Sequence, residues 1–97
     1  MLKQRLGNTL GEIKMENDYD RLKRYEREGF PKETKTDKCW LIRLVYFRVN
    51  GFTKEAMTDE HWVIRYEYFE RYGYTKESLK DEDENIRREA KEYFKEN

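Results

Sequence analysis

The chain has little of several residue types that define common protein classes. Its 97 residues include one cysteine, one proline and one histidine. The single cysteine, Cys39, excludes an internal disulfide and favours a reducing compartment, so we expect a cytoplasmic protein. No uncharged run exceeds about half the length of a membrane span, and the first ten residues lack the apolar core of a signal peptide. The length predicts one small domain over residues 1–97.

An excess of either charge is also lacking. The chain has 21 Lys plus Arg and 21 Asp plus Glu, whereas a dedicated nucleic-acid binder usually carries a basic excess. Charged residues make up 43 % of the chain and apolar residues 36 %, but aromatic residues reach 15 %. Disordered chains contain few aromatic residues. We therefore expect a folded domain in which many of the rings are buried.

What the sequence does contain is an internal repeat of 22 residues. Residues 51–72 share 11 of 22 positions with residues 29–50, and 10 of 22 with residues 73–94. The markers of the repeat include glycines at a constant spacing: Gly7, Gly29, Gly51 and Gly73. The spacing predicts an N-terminal extension followed by four units, of which the first is the least regular. Their bounds are about 1–6 for the extension and about 7–28, 29–50, 51–72 and 73–97 for the units.

Each unit is typical of a short helical turn followed by a longer helix. Thr53 and Thr75 are suited to cap the short turn in their units. We expect an aspartate to cap a long helix of about 14 residues, which then stops at the next glycine. Those aspartates are Asp37, Asp59 and Asp81. No segment shows the period of two that is typical of strands, so the predicted fold is all-α.

A helical wheel assigns two apolar flanks to each inner long helix. In the third unit one flank carries Ile64, Tyr68 and Tyr72, and the other carries Trp62, Tyr66 and Phe69. Each terminal unit has a polar flank instead. This pattern predicts a short right-handed α-solenoid of four helix-turn-helix-like repeats with polar caps at both ends, complete at four units.

An arginine lies between the two flanks of each long helix, where it needs a partner. An aspartate lies six residues before this arginine in the last three units. We expect these residues to form a structural ladder of ion pairs and hydrogen bonds between helix starts and neighbouring helices. They are Asp37 and Arg43, Asp59 and Arg65, and Asp81 and Arg87.

The Asp-x4-Ile-Arg motif resembles the second helix of HEAT-type α-solenoid repeats. It occurs as Asp37…Ile42-Arg43 and recurs from Asp59 and from Asp81. The spacing of Trp40 and Trp62 is also similar to the leucine-rich variant repeats, which alternate an α-helix with a short 3₁₀-like turn. The first helix is much shorter here than in HEAT repeats. The resemblance covers about residues 29–94 and implies a protein-binding scaffold without catalytic residues.

The face opposite the arginines carries apolar residues where a solvated face would be polar. We expect this free face to bind a partner protein or to self-associate as a homodimer. The predicted contact residues are Tyr19, Leu41, Val45, Val49 and Val63. The predicted charged rim is Lys23, Arg48, Glu67, Glu70 and Arg71. The alternative is that the N-terminal segment, with Leu2, Leu6 and Leu10, covers this face.

Metal-ligand residue types occur at one position of three successive units, as Cys39, His61 and Asp83. Stacked helices about 8–10 Å apart strain a shared metal centre, and no CxxC or HExxH spacing is present. A polar first-turn position explains this row better than zinc. We expect no metal, no cofactor and no enzymatic activity.

The predicted function is therefore a non-catalytic protein-interaction module without a membrane segment. Nucleic-acid binding through Lys, Arg and Tyr side chains on one face is the alternative. The small size would also suit a phage or mobile-element protein, although no residue supports that context.

Overall fold

The computed structural model of the protein describes residues 16–96, which form five α-helices and two 3₁₀ helices. The α-helices are α1 (Asp18–Arg27), α2 (Trp40–Asn50), α3 (Lys54–Met57), α4 (Trp62–Tyr72) and α5 (Glu84–Glu96). The 3₁₀ helices are η1 (Lys32–Thr36) and η2 (Lys76–Lys80). The described range contains no strand, which confirms the all-α class. The N-terminal extension, with Leu2, Leu6 and Leu10, and the start of the first predicted unit at Gly7 lie outside the described residues.

The long helices begin later than the sequence predicts. We expected Asp37 to cap α2, but α2 starts at Trp40 and its N-cap residue is Cys39. Asp37 instead ends η1, and its Oδ1 accepts a hydrogen bond of 2.8 Å from the Cys39 backbone N–H. Asp59 and Asp81 are bonded in the same way to the residue two positions further on, also at 2.8 Å. The long helices α2, α4 and α5 therefore span 11 to 13 residues rather than about 14, and α1 spans 10.

The short helices differ in how they are capped. Thr75 forms a capping box with Ser78, in which each side chain accepts a hydrogen bond from the other residue's backbone N–H. The Thr53 side chain accepts no backbone N–H, and its hydroxyl donates to the Glu55 carboxylate at 3.2 Å. The threonine is therefore a side-chain cap in one of the two predicted places.

Glycine ends α2 and α4 because the backbone there has a positive φ. Gly51 has φ +101° and Gly73 has φ +100°, a region that L side chains rarely adopt. Each glycine N–H donates to the carbonyl four residues earlier at 2.8 Å. The aromatic residue after each glycine then folds back, so that Phe52 stacks on Phe47 with ring centroids 5.4 Å apart. Tyr74 stacks on Phe69 at 5.3 Å.

The apolar interior forms two clusters, each between successive long helices. The central cluster joins α2, α3 and α4 and consists of Leu44, Phe47, Phe52, Ala56 and Ile64. The C-terminal cluster joins α4 and α5 and consists of Phe69, Tyr74, Ile86 and Ala90. One flank of α4 thus contacts the preceding helices through Ile64. The other flank contacts α5 through Phe69, with Trp62 and Tyr66 packed beside it.

Tyr72 is an exception to the flank assignment. Its side chain is exposed, and only its hydroxyl reaches the preceding elements, by donating to the Phe52 carbonyl at 3.3 Å. On α5 the flank that would face a following unit is polar and exposed, with Glu84, Arg88 and Lys91. Within residues 16–96, no helix combines the length and the apolar character needed to cross a lipid bilayer.

Candidate interaction face and arginine–aspartate ladder

Three arginines bind the aspartate that lies 16 residues further along the chain. Arg43 donates from Nε and Nη2 to the two carboxylate oxygens of Asp59, both at 2.9 Å. Arg65 binds Asp81 in the same way at 2.9 and 2.8 Å. Arg21 binds Asp37 with both distances at 2.8 Å. This two-pronged geometry is the strongest form of an arginine–carboxylate pair.

The pairing differs from the expected partners, which were separated by six residues. The arginine does contact the aspartate six residues earlier, but through the aspartate's backbone carbonyl. Arg43 Nη1 donates to the Asp37 carbonyl at 2.7 Å. Arg65 and Arg87 make the same bond to the carbonyls of Asp59 and Asp81, at 2.7 and 2.6 Å. Each ladder arginine therefore contacts its own unit through a carbonyl, while Arg43 and Arg65 reach the next unit through a carboxylate.

Two of the pairs lower the pKa of their aspartate, at Asp37 and at Asp81. The pKa of Asp37 is lowered to about 2, chiefly by the hydrogen bonds from Arg21. Burial alone would raise the pKa of Asp81, but the hydrogen bonds from Arg65 and from the Asp83 backbone outweigh it and lower that pKa. The ladder side chains that pair at these two sites are largely buried. These arginines are therefore structural rather than available for ligands.

The α1 end of the ladder includes two residues that the sequence did not assign to it. Arg21 lies 22 residues before Arg43, and this spacing was the signal that could have assigned it to the ladder. Tyr25 is buried, and its hydroxyl donates to Oδ2 of Asp37 at 3.1 Å. Asp37 thus accepts bonds from Arg21, Tyr25 and the Cys39 backbone. A polar network joins α1 to the start of α2.

Three of the four predicted contact residues on α1 and α2 are exposed. Tyr19 is 67 % exposed, Leu41 47 % and Val49 58 %. Leu41, Val45 and Val49 are spaced four residues apart, which places them along one face of α2. Val45 is half-buried between its two exposed neighbours. Three exposed apolar side chains on two helices of a protein that is 43 % charged form a candidate contact surface.

Val63 is less available than the wheel predicts. It occupies the position equivalent to Leu41, but it is half-buried and packs against the central cluster. The exposed residues of α4 are Glu70, Arg71 and Tyr72, which lie about two turns or more further along the helix. The candidate surface is therefore centred on α2 and extends to Tyr19, and we call these four residues, Tyr19, Leu41, Val45 and Val49, the apolar patch.

The predicted rim residues are held in pairs. Arg48 forms an ion pair with Glu67, which also accepts a hydrogen bond of 3.2 Å from Arg71. The Arg71 guanidinium lies over the Phe52 ring, 4.2 Å from its centroid. Glu70 accepts a hydrogen bond of 2.6 Å from the Tyr74 hydroxyl, and Lys23 pairs with Glu26 at 3.4 Å. Because these cations are already neutralised by carboxylates, the arrangement gives the nucleic-acid hypothesis no support.

The row of potential metal ligands consists of residues at long-helix starts. Nδ1 of His61 accepts a hydrogen bond from the Val63 N–H at 3.2 Å, and Asp83 Oδ1 accepts one from Asn85 at 2.8 Å. The His61 ring stacks on Trp40, with centroids 3.9 Å apart, and burial lowers the pKa of the imidazole. Among residues 16–96 no group of three or more His, Cys, Asp or Glu side chains is arranged to hold a metal ion.

Comparisons of this chain with protein families, with curated proteins and with solved structures found no significant match.

Proposed function

We propose that the protein is a short α-solenoid that binds another protein through the apolar patch. The observation that carries this proposal is the exposure of Tyr19, Leu41 and Val49 on successive long helices. Large apolar side chains that remain in water favour a contact that removes them from it. The neutralised charges beside them, such as the Arg48–Glu67 pair, would form a polar rim. Self-association through the same patch is a variant of this proposal.

The solenoid part of the proposal is supported by contacts that recur every 22 residues. The arginine–aspartate pairs, the aspartate bond to the following helix start and the stacked aromatic pairs after Gly51 and Gly73 all repeat at this spacing. The polar outer flank of α5 would be one cap, as expected of a HEAT-like scaffold. Such an array would present the patch as a rigid surface, so binding would cost little conformational entropy. The single cysteine would suit a location in the cytoplasm.

A charge in the patch tests this function. Val49→Glu is expected to abolish capture of the partner protein from a lysate, and to abolish any homodimer seen by analytical ultracentrifugation. Val49 is 58 % exposed, so the helical circular dichroism and the urea midpoint should be unchanged. Lys76→Gln is the matched control, because it changes the net charge by the same amount at an exposed position outside the patch.

Two outcomes would overturn the proposal. One is that Val49→Glu and Leu41→Glu capture the same proteins, in the same amounts, as the wild-type chain. The other is that the wild-type chain neither self-associates nor retains a protein that the Val49→Glu variant loses. Val45→Glu is informative in another way: if it unfolds the protein, half-buried Val45 belongs to the interior and the patch reduces to Tyr19, Leu41 and Val49.

A further inference from the structure

Arg87 is the ladder arginine whose carboxylate-binding edge has no partner among residues 16–96. Its Nη1 donates to the carbonyls of Asp81 and Glu82, at 2.6 and 2.9 Å. Arg65 makes the equivalent two bonds, at 2.7 and 3.1 Å, and also binds a carboxylate through Nε and Nη2. In Arg87 those two donors contact no side chain of the described part of the chain.

The guanidinium of Arg87 is already oriented for a ligand. Two bonds from Nη1 to backbone carbonyls fix the plane of the group, as one or two such bonds do in Arg43 and Arg65. A planar fork that is held in place loses little freedom when a carboxylate binds. The equivalent Nε and Nη2 donors bind an aspartate carboxylate in three other arginines, Arg21, Arg43 and Arg65. A carboxylate is therefore the ligand expected for this edge of Arg87.

Arg87 and its surroundings select for an acidic rather than an apolar ligand. Arg88 and Lys91 are exposed, and their counterparts 22 residues earlier are Tyr66 and Phe69, which face the next helix. Cations thus replace the rings on the flank of α5 that points away from α4. Glu84 is also exposed on this flank, and Glu82 and Asp83 precede it, so the charged surroundings exclude an apolar ligand while the fork of Arg87 selects the carboxylate.

We propose that the open end of α5 is a carboxylate-binding site, in which Arg87 binds the aspartate of an acidic helix start on another protein. In every ladder pair the aspartate also accepts the N–H two residues further on, at 2.8 Å, so an aspartate just before a helix has the fitting geometry. In a second copy of the chain, Asp37, Asp59 and Asp81 are already bound by arginines. Asp83 of a second copy also accepts the N–H two residues further on, so an Arg87 signal that shifts with protein concentration before any peptide is added would overturn the choice of another protein. This site is separate from the apolar patch.

The test uses the full chain with ¹⁵N-labelled arginine. The probe is an acetylated and amidated peptide with the sequence of residues 78–85, and its Asp81→Asn version is the control probe. We expect a saturable shift of the Arg87 Nε–H signal, while the signals of Arg43 and Arg65 stay in place. The Asp81→Asn peptide should bind more weakly.

Arg87→Lys keeps the charge and a donor for the Asp81 carbonyl but removes the fork. We expect about tenfold weaker peptide binding, as for the loss of one hydrogen bond to a charged group. Arg88→Ala is the matched control and should have a smaller effect. Unchanged thermal unfolding would show that both variants are folded.

Three further outcomes would overturn the proposal. The first is that no binding of the peptide is measurable. The second is that the Arg87 signal does not move, or that both peptides shift it equally. The third is that Arg88→Ala weakens binding as much as Arg87→Lys does, which would indicate general charge attraction. The wild-type comparison of the two peptides requires no variant to fold.

Discussion

The junction between α1 and α2 and the junction between α2 and α4 are built on the same ladder but held by different forces. Both contain a two-pronged arginine–aspartate pair. The second junction also contains the central cluster, whereas neither apolar cluster includes a residue before Trp40. At the first junction Tyr25 contributes a hydrogen bond to Asp37 in addition to its buried ring. The first junction therefore depends more on charge, and the second more on apolar burial.

Truncating a side chain of the central cluster should reduce the free energy of unfolding more than any other change proposed below. Phe47 is 1 % exposed and stacks on Phe52, so Phe47→Ala leaves a cavity and is expected to cost about 4 kcal/mol. Tyr25 occupies the equivalent position on α1, outside both clusters, and Tyr25→Ala should cost less. The free energies of unfolding in urea provide the measurement. An equal loss in both variants would contradict the contrast between the junctions.

Removing one carboxylate of the ladder should have the next largest effect. Asp59→Asn leaves the Arg43 guanidinium, itself about 10 % exposed, without a carboxylate, and is expected to cost about 3 kcal/mol. Asp37→Asn should cost less, because Arg21 keeps a second carboxylate, that of Asp18 at 2.6 Å. Thermal unfolding of both variants measures the difference. A larger loss in Asp37→Asn would mean that the first junction relies on its pair more than the second does.

Acid should weaken the first junction. The pKa of Asp37 is about 2 in the folded chain and near 3.8 when the chain unfolds. The ionised carboxylate therefore contributes nearly its full share to the free energy of unfolding above about pH 4. This contribution is lost as the pH falls from about 4 to about 2, at a cost of about 2 kcal/mol. Hydrogen exchange should therefore accelerate in α1 before it does in α4. In Asp37→Asn this acid dependence of α1 should disappear, and its persistence would show that another group titrates there.

The smallest expected change in stability concerns a buried hydroxyl near the first junction. Thr34 in η1 is fully buried, and its Oγ1 has no hydrogen-bond partner among the described residues. The equivalent residue beside the second junction is Ala56, also fully buried. Thr34→Val is thus expected to stabilise the chain by about 1 kcal/mol, since it removes an unsatisfied polar group and keeps the buried volume. Ala56→Thr should destabilise the chain, and a destabilising Thr34→Val would show that the hydroxyl has a partner.

The 22-residue repeat allowed the all-helical class and the two flanks of α4 to be predicted, because helical periodicity and repetition agree. The predicted helix starts were wrong by two residues, because an aspartate that accepts the backbone N–H of the N-cap residue looks in sequence like the N-cap itself. Asp37 is an example. The difference lies in the backbone turn between η1 and α2, which residue types alone do not define.

Contacts between side chains of different repeat units were harder to predict than the placement of residues within one unit. Arg43 lies six residues after Asp37 and 16 before Asp59, and only the stacking of helices decides which carboxylate it binds. The burial of Val63 was missed for a similar reason. The wheel places it with Leu41, but the contact with the central cluster depends on how α4 is seated against α2.

The aspartate that lies two residues before the helix-start position allows that position to be occupied by different residue types. Because Asp37 already satisfies the Cys39 N–H, the position itself can hold a thiol, an imidazole or a carboxylate, as it does at 39, 61 and 83. Replacing Cys39 by aspartate would then yield a thiol-free chain that has gained an acceptor for the Leu41 N–H, as Asp83 provides for Asn85. A new cysteine placed anywhere else on that background would be a unique attachment point for a spectroscopic label.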